Sequence, residues 1–365
     1  MNRMDAIAWT LSVCAGLRLS QAKTLSDLVA ATLDVGRVSL AEIGRKLAGP
    51  AAAKHRIKRV WRFTSNRRVE ISDAMKGVIA RVVKRRRKPL LITLDWTDIR
   101  GFCTLMAAAA MKGRAVPLLW ASYPRGRVEI SQNNLEEGLL RLLRTMIPQQ
   151  VPVILLADRG FGRTELARTC QLIGYHYVIR ITPDVWVENR VFCGKLLDFP
   201  VRRGMARVLK NVAYRKQRPV CQHVVVRWKK GLPEKRDEPW FLMTDLERSP
   251  LALSKLYAKR MEVEELFRDD KSRRNGYALR NTQLTRAERI DRLLLILALA
   301  FILLCGVGLR ARQRYRPGMW CSSNDPRQCS VFTIGRIMLD RLKLSPASAF
   351  AAVAAAITAA APNWG

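Results

Sequence analysis

Apolar and polar positions change their period along the chain, and each change predicts a different kind of element. Up to about residue 88 the apolar residues recur at helical spacing. "SLAEIGRKLAG" opens on Ser39 with Glu42 three residues on, a capping box, and Gly49-Pro50 ends the helix. In the following helix, "AAAKHRIKRVWRF", Lys54, Lys58 and Arg62 fall at i, i+4 and i+8, while Ile57, Val60 and Trp61 mark the face predicted to enter the core. Two helices joined by a glycine-containing turn, the second basic, have the form of a helix-turn-helix reader of DNA. A solvated basic face on a packing helix is the plainer alternative. "KRRRK", residues 84–88, marks a junction.

Past that junction the runs shorten to strand length. "PLLITLDWTDI", "FCTLMAAAAM" and "RAVPLLWASY" predict three consecutive antiparallel strands separated by Arg-Gly and Lys-Gly turns. "NLEEGLLRLLRTM" predicts a helix, "PVILLADRG" a buried strand, "TELARTCQLIG" a helix ended by Gly174, and "YHYVIRI" a fifth strand. The order is βββαβαβ, an α/β pattern. From 182 to 249 the pattern becomes irregular and strand-rich, with a charged turn "KKGLPEKRDEP" and three tryptophans, Trp186, Trp228 and Trp240. It reads as an insertion. Residues 251–272 predict one helix and "RAERIDRLLLILALAFILL" a long one, while the alanine-rich end from Pro346 offers no chemistry. The expected organisation is a helical DNA-binding domain at 1–88, the first part of a catalytic core at 89–181, a β-rich insertion at 182–249, a catalytic helix completing the core at 250–312, and a C-terminal helical region at 313–365.

Two apolar stretches test whether the chain is addressed to a membrane. "MDAIAWTLSVCAGL" is interrupted by Asp5 and lacks a clean small-x-small cleavage site, so a short amphipathic helix is expected there. Residues 293–309 give 17 uncharged positions, the lower edge of a membrane span, and are expected to form a buried core helix. No membrane partner is expected.

Charge narrows the class further. With 65 Lys+Arg against 30 Asp+Glu in 365 residues, the net charge is +35, and basic residues recur from Arg3 to Arg341. Such a spread suits a polyanion contacted over a wide face, nucleic acid above all, because each phosphate contact releases counterions. The eight cysteines are scattered with no C-x-x-C pair, and there are three histidines. That argues against a disulfide frame or a zinc site.

Against this basic background a few acids stand out. Asp95 sits within "LLITLDWTD" and Asp158 ends "VILLAD". An ionised carboxylate in either place costs several kcal/mol, of order ~2–7 for an uncompensated buried polar group, unless something offsets it. In the βββαβαβ order the first and fourth strands can lie parallel side by side, which places these two acids together. In "YAKRMEVEELFRDDK", at about 100° per residue, Tyr257, Arg260, Glu264 and Lys271 border one stripe formed by Leu256, Val263 and Phe267. Three carboxylates on a basic protein suit two hard cations, Mg²⁺ or Mn²⁺, which activate an oxygen nucleophile at a phosphodiester. Arg260 and Lys271 would neutralise phosphate, and Tyr257 would hydrogen-bond a non-bridging oxygen or steady the glutamate. An ordinary intrahelical Arg260–Glu264 pair, of about 0.3–0.5 kcal/mol, is the competing account.

The spacing Tyr257-x2-Arg260-x3-Glu264-x6-Lys271, with Asp95 in "LDWTD" and Asp158 in "LADRGF", resembles the Tyr-Arg-Glu-Lys signature and Asp-Asp-Glu triad of bacterial cut-and-paste transposases of insertion-sequence family 4. The resemblance runs from about residue 39 to about 305. It implies a ribonuclease-H-like catalytic core with a β-rich insertion, dimeric action on double-stranded transposon ends and target, and metal-dependent cleavage followed by strand transfer. It also implies that Asp95, Asp158 and Glu264 are the metal ligands, and that an aromatic residue of the insertion stacks on a flipped base. Trp228, on a basic strand in "VVVRWKK", is the first candidate, with Trp240 and Trp186 remaining open. A bacterial cytoplasmic, nucleoid-associated location is expected. The alternatives are a nuclease sharing the core without strand transfer, and a regulator that binds ends without cutting.

Overall fold

A computed structural model describes residues 1–35, 38–126, 131–215, 220–231, 238–272, 276–322 and 329–363. Five helices come first: α1 (Arg3–Val13), α2 (Leu19–Leu33), α3 (Leu40–Lys46), α4 (Ala53–Ser65) and α5 (Ile71–Val83). The α1 stretch is helical and turns Ala6, Trp9 and Val13 inward. Ser39 caps α3 by accepting from the Glu42 amide at 3.1 Å, but the Glu42 carboxylate pairs with Arg45, so the capping box is one-sided. On α4, Val60 and Phe63 are buried, whereas Trp61 is 51% exposed. The expectation that Trp61 enters the core is therefore corrected. Its indole instead lies under the Arg289 guanidinium, 4.6 Å from the ring centroid.

The βββαβαβ order then follows as expected: β1 (Leu90–Ile99), β2 (Phe102–Met111), β3 (Arg114–Pro124), α6 (Gln132–Met146), β4 (Val153–Ala157), α7 (Thr164–Leu172) and β5 (Tyr175–Arg180). The Arg100-Gly101 and Lys112-Gly113 turns work because glycine accepts the positive φ each one needs, +81° and +85°. Both β1–β2 and β2–β3 pair antiparallel, while β1–β4 and β4–β5 are parallel.

Residues 182–249 are strand-rich, forming β6 (Trp186–Glu188), β7 (Cys193–Lys195), β8 (Ala206–Tyr214), β9 (Val220–Arg227) and β10 (Trp240–Thr244). Residues 232–237 of the charged turn lie outside the described residues. These strands extend the same sheet, because β10 returns antiparallel to β5. Among the described residues the sheet has ten strands in the order β3-β2-β1-β4-β5-β10-β9-β8-β6-β7.

After the sheet come α8 (Pro250–Tyr257), α9 (Met261–Lys271), α10 (Ala287–Arg314), α11 (Val331–Met338) and α12 (Pro346–Ala360). The single helix expected over 251–272 is corrected: a tight 3₁₀ turn at Ala258–Arg260 separates α8 from α9. With three residues per turn it eclipses positions three apart, so Tyr257 and Arg260 come onto one side ahead of α9. Helix α10 is long and apolar enough to span a membrane, yet 94% of its most apolar window is buried inside the fold. Its Gly308 leaves no room for a side chain, since a Cβ would stand 1.8 Å from the Val331 carbonyl oxygen. The backbones of α10 and α11 therefore touch.

Candidate active site

The register of β1 against β4 places Leu94 beside Ala157. One residue further on, Asp95 and Asp158 leave the parallel pair together, Asp158 past the carboxyl end of β4 and Asp95 where β1 runs on paired with β2 alone. Asp158 caps the 3₁₀ turn Arg159–Phe161, its Oδ1 accepting from the Gly160 amide at 2.9 Å. Asp95 accepts from the Trp96 amide at 2.9 Å and from Arg260 Nη1 at 3.2 Å. The other terminal nitrogen of Arg260 donates to Glu264 on α9. One guanidinium thus stands between an acid of the sheet and an acid of the helix.

Charge in this cluster is strongly perturbed. Burial pushes the Asp95 carboxyl up to about 7; Arg260 opposes the rise, and Asp158 and Glu264 add to it. Arg260 is raised as well. Burial alone lowers it, but Tyr257, Asp95 and Glu264 together hold it above its usual range. Burial also raises the Tyr257 phenol, with the nearby Arg260 and Arg180 pulling it down. Asp95, Asp158, Tyr257, Arg260 and Glu264 therefore share one neighbourhood. Lys271 ends α9, seven residues or about 10 Å of helix beyond Glu264, with its ammonium 5.6 Å from the Phe267 ring centroid.

Asp95 and Glu264 converge on an arginine rather than on each other. Among the described residues no three His, Cys, Asp or Glu side chains are grouped so as to hold a metal ion as they stand. The donor set still fits a divalent cation. All three acids offer hard oxygens, and Asp95, raised by burial and further by Asp158 and Glu264, gains from a positive ion beside it.

Several supports were not visible in the sequence. The Trp96 indole donates to Glu136 of α6 at 2.7 Å, and buried Arg163, five residues after Asp158, pairs with the same glutamate. This fastens the middle of β1 and the segment after β4 to one helix. Arg159 and Arg180 share Glu238, at 2.9 and 2.6 Å. Of the three tryptophans, Trp240 packs edge-on against Tyr257 with centroids 5.1 Å apart. Trp228 is half-buried at the end of β9 with Arg203 5.7 Å from its ring centroid, and Trp186 begins β6. Lys54, Lys58 and Arg62 lie exposed along α4. No spacing rule ties Arg163 to Glu136, nor Trp240 to Tyr257, whose meeting depends on the return of β10 to β5.

Residues 86–303 match a family model described as a transposase DDE domain. A search of curated proteins finds no match.

Proposed function

The chain belongs to the transposase DDE domain family, and from that premise we propose that it is a DNA transposase of the insertion-sequence family 4 type. It would bind inverted-repeat ends and cut and rejoin DNA at the Asp95, Asp158 and Glu264 cluster, on a ribonuclease-H-like core. The observation that carries the reading is the shared Arg260: it joins the acid on β1, just past the stretch paired with β4, to the acid of α9, beside the acid that follows β4.

Members of this family generally use divalent metal ions, and Asp95, Asp158 and Glu264 are the residues that would hold them. Bound there, Mg²⁺ or Mn²⁺ supplies Lewis-acid activation of a water or 3′ hydroxyl and of the leaving oxygen. The chain's own residues do the rest. Arg260, released from Asp95 and Glu264, turns its planar fork onto non-bridging oxygens of the scissile phosphate. Tyr257 keeps that guanidinium from swinging into solvent. Lys271 neutralises a phosphate further along the strand. Lys54, Lys58 and Arg62 grip the backbone of the end, and Trp228 or Trp240 offers a ring for an unstacked base. A homodimer would pair two ends.

The test uses the full chain and linear duplexes carrying the inverted repeats that flank its gene, with Mg²⁺ or Mn²⁺. Cleavage at the repeat ends, followed by joining to a second duplex, is expected. Asp95→Ala, Asp158→Ala and Glu264→Ala should each bind the ends and fail to cut. Undiminished cleavage by any one of them removes that residue from the triad, and cutting without joining would leave a nuclease.

A further inference from the structure

A second basic site lies where the N-terminal helices meet the amino end of α10. A cavity of about 320 Å³ is lined by Trp61, Arg67, Arg286, Glu288, Arg289 and Arg292. Four arginines face one glutamate there. Arg292 is buried and committed to structure, donating to the Val69, Thr64 and Glu288 carbonyls. Arg289 reaches Thr64 Oγ1 at 3.3 Å and lies over the Trp61 ring, but its Nε is buried without a partner, as is the nearby Ser65 hydroxyl. Among the described residues, Arg67 and Arg286 make no ion pair and no side-chain hydrogen bond, and both are exposed. They crowd the other two cations: burial first and then Arg286 lower Arg289, while burial lowers Arg292 against Glu70, Asp291 and Glu288, with Arg67 adding a smaller push.

Like charges held this close, around unpartnered donors and beside a half-exposed indole, cost energy until an anion arrives. The amino end of α10 opens at the same place, with no side chain capping it. The exposed Lys54, Lys58 and Arg62 belong to α4, the helix that carries Trp61. We infer that this cleft holds the phosphodiester backbone of duplex DNA and fastens it to the seam between α4 and α10. The inference rests on the reading of the chain as a DNA transposase, but adds a site that the cleavage chemistry does not require. Phosphates suit it better than an acidic protein segment. Arginine forks match phosphate oxygens two at a time, and the indole offers a flat face to sugar or base.

The experiment measures binding of the full chain to a fluorescent duplex of unrelated sequence across a salt series, in EDTA so that no strand is cut. The Arg67→Gln/Arg286→Gln double variant should keep the wild-type melting temperature. Its slope of log affinity against log salt should be smaller by about one for each arginine removed. An unchanged slope overturns the cleft. So does an equal loss in the Arg341→Gln/Lys343→Gln control, which would assign the effect to net charge alone. Loss of polyglutamate binding with duplex affinity intact would make the cleft a peptide site and overturn it as well. If cleavage fails while wild-type duplex binding still depends on these two arginines, the transposase reading falls and the cleft stands. A wild-type chain that ignores duplex DNA removes both.

Discussion

Helix α9 carries two arginine–carboxylate clusters, one near each end, and they differ in what surrounds them. At its start Arg260 bridges Asp95 and Glu264, with the Glu264 side chain 42% exposed and Asp158 at the end of the adjacent strand. Further along, Arg114 at the start of β3 holds Asp269 through Nε at 2.5 Å and Nη2 at 3.3 Å, and Glu265 through Nη1 at 3.1 Å. Asp269 there is only 6% exposed, and burial raises it to about 6 against the pull of Arg114. Both clusters perturb carboxyls, so perturbation alone does not mark a functional site. The difference is topological. The first cluster gathers acids from two neighbouring parallel strands, just past their paired stretch, and leaves one open to solvent, whereas the second ties a hairpin strand to a helix and draws no acid from the parallel pair.

The sharpest way to break the comparison is to remove one acid from each cluster. Asp158→Ala should abolish end cleavage, a loss larger than the roughly 10–100-fold that follows removal of an outer-shell partner of a metal site. Asp269→Asn should leave the chemistry of the folded protein intact, and turnover per folded molecule separates the two. Next in size is Arg114→Met, which strands Glu265 and Asp269. By the usual penalty for one missing partner of a buried pair it should cost about 3–5 kcal/mol, read from urea unfolding. Arg260→Lys should reverse that pattern. It keeps the charge but loses the two-sided fork, so turnover falls by about tenfold or more while stability moves less than in the Arg114 variant.

The smallest effect concerns Asp270, which lies beside Asp269 on α9. Burial raises it to about 7, with Asp269 adding to the rise. A raised folded pKa favours the protonated form, so its contribution is fully present below the unfolded value of about 3.9 and is lost as pH climbs through about 7. Asp270→Asn should therefore flatten the fall in melting temperature between about pH 4 and pH 7, the window set by those two values. A wild-type fall of the same size in the variant would show that Asp270 does not contribute.

Local period made much of the fold legible. The runs around Asp95 and Asp158 announced two strands, and their order permitted the parallel pairing found between β1 and β4. The buried side of α9 was legible because Val263 and Phe267 recur at helical spacing, while Leu256 belongs to the separate helix α8. What remained hidden depends on non-local contacts. Trp61 fits a core stripe by spacing, but Arg289, more than two hundred residues away, takes its ring face. The 3₁₀ turn at Ala258–Arg260 carries no glycine or proline to announce it. Nor does any local rule show β10 joining β5, which brings Trp240 to Tyr257.

The central claim is that Asp95, Asp158 and Glu264 hold one metal centre together. Replacing Mg²⁺ with Fe²⁺ and adding ascorbate and peroxide generates radicals that cut the polypeptide beside the bound ion. Backbone cuts clustered near residues 95, 158 and 264, all lost together in Asp158→Ala, are expected. Cuts near the Arg114 cluster instead, or cuts at the three acids that survive Asp158→Ala, would contradict the claim.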